Sequence, residues 1–473
     1  VTNPSPQPHG PVPSLRQLAW HQLETYGFIH FTTNTFTNLE WGYGDEDPAI
    51  FNPTQYDPQQ WVSVAKAGGL TGLILTAKHH DGFCLWPSRF TDHSVKNSPW
   101  RSGGGDVVAD LAQACLEGGI KFGVYLSPWD RHHPQYGKPE YIQYYRNQLQ
   151  ELLTQYGEIF EVWFDGANGG NGWYGGANER RRIDAATYYD WPNTWPLVRQ
   201  WQPGAVMFSD TGPDVRWVGN EQGIGADTTW CTFSPAGRYP GDGKIADQGC
   251  GHENGTHWIP PETDVSIRPG WFYHASEDDL VKTPQQLIDI YFQSVGRGTS
   301  LLLNLPPDRR GLIHENDAAH LSTFKRQLNA IFTDNLAVSA KVSASSYFSE
   351  EYGAGNMIDE NPHTYWAANP TKNETCWVEL TFSKPQRFNV FSVQEAITLG
   401  QTVRGWKLQA QTSRGDWQTL TTGTTIGYKR LARFPAVESQ TVRFTITDSL
   451  APPVISTFGL FDGGSLINEP LPK

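Results

Sequence analysis

The chain has 473 residues with 36 basic against 49 acidic side chains, a net charge of −13, so it is too long for one ordinary domain and has no Lys/Arg run to serve as a nucleic-acid footprint. No apolar run reaches 18 residues, which leaves no helical membrane span. Aromatic residues reach 13% at a mean hydropathy of only −0.50, and flat rings on a polar surface favour a carbohydrate ligand over a polyanion.

In chain order, the opening "VTNPSPQPHG" has neither an initiator Met nor an apolar signal core. This reads as a leader already removed, and it points to a secreted, periplasmic or cell-surface protein. Short apolar runs follow: "YGFIHF" (26 to 31), "LTGLILTAKHHD" (70 to 81), "IKFGVYLSPWD" (120 to 130), "IFEVWFDG" (159 to 166), "AVMFSD" (205 to 210), "DVSIRPGWFYH" (264 to 274) and "SLLLNLPPD" (300 to 308). Helical patterns lie between and after them, at 58 to 69, 106 to 119, 139 to 157, 283 to 298 and 316 to 332. Strand then helix, repeated over about 330 residues, predicts an α/β fold, a (β/α)8-like TIM barrel. Beyond Phe332 short alternating segments such as "CWVELTFS" and "QTVRFTITD" predict an all-β antiparallel sandwich. The expected division is residues 1–335 for the barrel and 336–473 for the sandwich.

Most of the barrel runs end on His, Trp or Asp, and in such a barrel the strand C-termini meet at the functional face. His30, His79, His80, Asp81, Trp129, Asp130, Asp165 and Asp210 are therefore expected to converge there. Two adjacent histidines and an acid, His79, His80 and Asp81, raise the possibility of a metal-dependent hydrolase. Neighbouring strand residues, however, point to opposite faces, and no H-x-H or H-E-x-x-H pattern exists. Neither a G-x-S-x-G elbow nor a phosphate-binding Gly-rich loop occurs. The five cysteines form no C-x-x-C pair; Cys231 and Cys250 are the nearest candidates for a bridge.

Paired carboxylates remain, the equipment of glycoside hydrolysis. Asp165 is the first. Glu40, Glu221, Glu253, Glu262 and Asp130 are candidates for the second, and Glu221 and Glu253, both in glycine- and aromatic-rich loops, stay unseparated by residue chemistry alone.

"GFIHFTTNTFT", "EWGYGDEDPAIFNP", "LTAKHHDGFCLWPS", "VWFDGAN", "VRWVGNEQG", "SIRPGWFYH" and "LLLNLPPDRRGLI" together resemble the α-L-fucosidases of glycoside hydrolase family 29, closest to the branch acting on α-1,3/1,4-linked fucose. The resemblance covers about residues 15 to 330. It implies a retaining exo-glycosidase acting on terminal fucose of Lewis-type glycans, with Asp165 as nucleophile and Glu221 as acid/base. It further implies sugar contacts from His30, Glu40, Trp41, His79, His80, Tyr125, Trp163 and Trp271, and no cofactor for catalysis. Thr32, where glycine is expected, would narrow the pocket floor, and loops around Trp173, Trp217 and Trp258 would choose the linkage. The alternative reading is a non-catalytic fucose-binding protein. In the second domain "DENPHTYW" resembles discoidin-like (factor 5/8 type C) carbohydrate-binding modules, which implies a structural calcium on Asp359, Asn361 and Thr364.

Overall fold

The computed structural model describes residues 5–369 and 375–467. Eight parallel strands close a barrel: β1 Thr25–Ile29, β2 Gly72–Lys78, β3 Lys121–Leu126, β4 Glu161–Trp163, β5 Val206–Ser209, β6 Val215–Trp217, β7 Pro261–Ser266 and β8 Ser300–Asn304, with β8 pairing back to β1. β1, β2, β7 and β8 are buried along their whole length, as parallel strands covered on both faces must be.

Helices Pro58–Ala67, Val107–Gly118, Glu140–Gln155 and Trp191–Trp201 follow β1 to β4, and Pro284–Gln293 and Glu315–Ile331 follow β7 and β8. Their apolar stripes, for instance Tyr141, Tyr145, Leu149 and Leu152, pack on the outside of the strands. Helix Leu15–Leu23, which precedes β1, opens with a capping box on Ser14 and lodges Trp20 in an aromatic cluster inside the barrel with Tyr26 and Phe160.

No helix follows β5 or β6. β5 turns straight into β6, and residues 218–260 form a long loop with only a two-residue strand pair, Thr232–Phe233 and His257–Trp258. The sandwich lies against this bare flank. Ile397 packs on Cys231 and Trp258, Gln401 bonds both the Cys231 amide and the Thr229 carbonyl, and Arg430 donates to the Asp227 carbonyl. Lys429 and Tyr428 reach Glu24 just before β1. A domain made of β-strands thus covers what the helix layer leaves open.

The C-terminal sheet is seven-stranded and antiparallel. Two 20-residue strands, Cys376–Glu395 and Arg430–Ser449, run through it with register shifts that bend the sheet over a core of Trp366, Phe391, Trp406, Phe444 and Phe458. The chain passes from helix Glu315–Ile331 to this unit through a short 3-10 turn, Leu336–Ser339. Cys231 and Cys250 do not bridge.

Candidate active site

A cavity of about 110 Å³ opens at the C-terminal face of the barrel. It is lined by all ten residues that the family resemblance implies as catalytic or sugar-binding: Asp165, Glu221, His30, Glu40, Trp41, His79, His80, Tyr125, Trp163 and Trp271. Phe28, Ala167 and Asp264 complete the wall. Two larger hollows, one of about 570 Å³ among the loops after β1, β7 and β8 and one of about 440 Å³ beside helix Val107–Gly118, gather none of these residues.

Asp165 stands two residues past the end of β4, where rigid backbone fixes its direction. Its Oδ1 accepts the Ala167 amide at 2.8 Å, and its Oδ2 accepts the Tyr125 hydroxyl at 2.9 Å. Burial, then the Asp165 charge, pushes the Tyr125 phenol well up, which keeps it a donor. Gly166 is required by close approach, because a Cβ there would run into the Asp210 carboxyl.

The three histidines are neutral. Burial lowers His80 to about 4 and His30 to about 3, and carries His79 well below its ordinary value. Their tautomers follow from their partners. Ser127 donates its hydroxyl to the Trp129 carbonyl, so it accepts from His80 Nδ1–H at 2.7 Å. The Asn304 amide nitrogen donates to Ser266 and to the Trp271 carbonyl, so its oxygen accepts from His30 Nδ1–H at 2.8 Å. Both rings therefore turn a bare Nε2 toward the cavity, that of His80 at 3.7 Å from Asp165 Oδ2. His79 Nδ1 is buried without a partner. An orphaned lone pair is tolerated better than an orphaned N–H, which places the proton of His79 on Nε2.

The aromatic walls come from three places. Trp163 stacks on Phe208 at 4.1 Å on the floor, Trp41 stands edge-on to His80 at 5.3 Å at the mouth and is half exposed, and Trp271 tilts over His30 at 5.2 Å. Glu40 holds Trp271 in place: its carboxylate accepts the Trp271 amide at 2.6 Å, the Phe272 amide at 3.0 Å and the His274 ring at 2.9 Å. A carboxylate so engaged serves the loop first.

Glu221 is exposed as a residue, but its carboxyl leans on the Trp271 indole, whose N–H reaches it at 3.3 Å. Loss of water raises its pKa, the indole N–H pulls it back, and the negative Asp165 and Glu40 add to the rise. The other acids expected as alternatives lie elsewhere. Glu253 pairs with Arg404 of the C-terminal domain, Glu262 is buried beneath the pocket holding the Trp163 indole N–H at 2.7 Å, and Asp130 is locked to Lys78 at 3.1 Å.

Other expectations are corrected. Asp81 turns away from the two histidines to accept Thr32, Thr33 and the Phe83 amide, and no three His, Cys, Asp or Glu side chains converge on a metal position among the described residues. Thr32 caps helix Thr33–Thr37 and lies outside the pocket lining. Trp258 is buried under the C-terminal domain, away from the pocket, whereas Trp217 stays beside it through its bond to Asp264. Asp264 is not among the sequence candidates, although it opens the run "DVSIRPGWFYH".

A family model described as alpha-L-fucosidase matches residues 14–330, and a factor 5/8 type C domain model matches 341–456. The chain belongs to the alpha-L-fucosidase family, glycoside hydrolase family 29. Alpha-L-fucosidase 1 of Arabidopsis thaliana is 46% identical over 98% of this chain and 89% of its own length. A family 29 member from an unknown rumen bacterium is 46% identical with a TM-score of 0.88, over 98% of this chain and 79% of its own. A Ruminococcus gnavus family 29 fucosidase, solved in complex with fucose, is 33% identical with a TM-score of 0.88, over 98% and 97% of the two chains. The protein is thus an alpha-L-fucosidase.

Proposed function

We propose that this fucosidase is a retaining exo-enzyme that releases terminal α-1,3/1,4-linked L-fucose, as in Lewis-type glycans, with Asp165 as nucleophile and Glu221 as acid/base. The observation that carries the reading is that these two carboxyls share one small cavity, one braced by a tyrosine and a backbone amide, the other raised by partial desolvation.

In the first step the Asp165 carboxylate bonds to the anomeric carbon as the glycosidic bond breaks, and the Glu221 carboxyl gives its proton to the departing oxygen. In the second, Glu221 takes a proton from water, the water oxygen bonds to the anomeric carbon, and the bond to Asp165 breaks. The Nε2 atoms of His30 and His80 accept hydrogen bonds from sugar hydroxyls and His79 Nε2–H donates one, while Phe28 and Trp163 offer apolar surface to the methyl group of a 6-deoxy sugar. The small cavity suits one ring, which supports attack at a chain end.

The C-terminal domain is proposed as a carbohydrate-binding-type module with a structural calcium. The Thr364 hydroxyl oxygen lies 2.7 Å from Asp359 Oδ2 and 3.0 Å from the Asn361 carbonyl, three of the six to eight oxygens a calcium ion takes. Release outside the cytoplasm is proposed with it, in keeping with glycan substrates.

The deciding experiment uses an aryl fucoside and azide. Asp165→Gly is expected to lose at least about a thousandfold in kcat and, with azide, to form β-fucosyl azide; Glu221→Ala with azide should form the α anomer. Wild-type turnover by Glu221→Ala would remove it from the acid/base role. The linkage claim fails if α-1,2- or α-1,6-linked fucose is released from oligosaccharides as fast as α-1,3/1,4-linked fucose.

A further inference from the structure

The pocket contains a third carboxyl that the two-carboxylate mechanism does not use. Asp264 lies on β7 between Glu262, which faces inward beneath the pocket, and Ser266, which supports Asn304 and through it His30. Alternate residues of a strand share a face, so Asp264 points into the barrel at the level of the cavity it lines. It is only 3% exposed.

Its Oδ1 accepts the Trp217 indole N–H at 2.8 Å. Apart from Trp217 and its own backbone amide the carboxyl has no donor among the described residues, and it lines the cavity. No Lys, Arg or His pairs with Asp264, while Glu221 and Glu262 both face it. A carboxyl in that position is far cheaper to keep as the neutral acid than as an unpaired anion. Burial first, and then the neighbouring Glu221 and Glu262 carboxyls, drive its pKa well up against the pull of the Trp217 N–H.

Hydrogen-bond supply gives the proton a use. Tyr125 donates to Asp165, Trp163 to Glu262, Trp217 to Asp264 and Trp271 to Glu221, so these four polar aromatic side chains at the pocket are already committed. His30 and His80 present lone pairs. Each sugar hydroxyl that gives its hydrogen to such a lone pair still has an oxygen able to accept.

We infer that Asp264 is a substrate-contacting, specificity-determining residue, a carboxylic acid whose Oδ2–H donates to one hydroxyl of the bound fucose. No covalent step is involved, and the inference rests on the fucosidase pocket without depending on which carboxylate attacks and which gives the proton.

The test measures kcat/KM for wild type, Asp264→Asn and Asp264→Ala on 4-nitrophenyl α-L-fucoside and its 2-, 3- and 4-deoxy analogues. Asn keeps both the acceptor for Trp217 and an N–H donor, and should stay within a few-fold of wild type. Ala should lose on the order of tenfold to a hundredfold on the parent substrate, with most of that loss vanishing on the one analogue that lacks the contacted hydroxyl.

An equal Ala penalty on all four substrates would mean mere support of Trp217 and would overturn the inference, as would wild-type activity. Should Asn lose as much as Ala, Asp264 works as an anion and the inference also falls. If Ala does not fold, judged by circular dichroism, Asp264→Ser takes its place in the same comparison. A wild-type enzyme that turned over none of the fucosides would instead indict the pocket assignment itself.

Discussion

Trp271 acts on Glu221 in two opposed ways. Its ring removes water from the carboxyl and raises the pKa, while its N–H stabilises the carboxylate and lowers it. Trp271→Phe keeps the ring and deletes the N–H, so Glu221 should hold its proton to higher pH. A general acid must be protonated to act, and the basic limb of the kcat/KM profile should move up in pH, with the acidic limb unchanged. A limb that moves down, or does not move, would show that Glu221 does not set it. Asp165 differs in kind: its oxygens are fixed by Tyr125 and Ala167, and its location at a strand end was legible in the sequence because "VWFDG" is so compact. The choice between Glu221 and Glu253 was not legible from residue chemistry, since both sit in Gly- and aromatic-rich loops. Only the fold reveals that Glu253 is held by Arg404, on a strand 151 residues away.

At the scale of elements, the β1 loop and the β7 loop meet at Glu40, which accepts two consecutive amides and a histidine ring from residues 271 to 274. Glu40→Gln leaves one carbonyl oxygen where two carboxylate oxygens stood and puts an NH2 group against backbone donors. KM for fucosides should rise about tenfold as Trp271 loosens, with the melting temperature changed little; an unchanged KM would show that the loop holds without this carboxylate. The same scale explains what pattern reading could and could not find. β1 to β5 and β8 announce themselves as apolar runs. β6 is three residues long and follows β5 after a five-residue turn, too brief for a pattern. β7 was expected from residue 264, but it begins at Pro261, because "PETDVS" carries acids whose burial only the closed barrel makes sensible. Helix Trp191–Trp201 was hidden by Pro192 and Pro196, and helix Leu15–Leu23 by its mixed polarity.

For the whole molecule, the main question is whether the two domains melt together. Cys231, Trp258 and Ile397 form one buried cluster across the boundary, and Arg430 and Gln401 bond loop backbone on the barrel. Ile397→Asp buries an unpaired carboxyl there and should cost about 3 kcal/mol or more, lowering the melting temperature of the barrel as well as that of its neighbour. Two separate calorimetric transitions, with only the C-terminal one displaced, would contradict that coupling.

The missing helices after β5 and β6 also bear on how such a protein can be trimmed or grafted. An appendage joined by a tether can be swapped like a tool on a handle. Here the appended unit doubles as part of the barrel's outer casing, next to the loop that carries Glu221. Exchanging it for an unrelated module would uncover Cys231 and Trp258 and leave that loop without its backing. A chimera would keep its activity only if the incoming module brought a matching face for this flank.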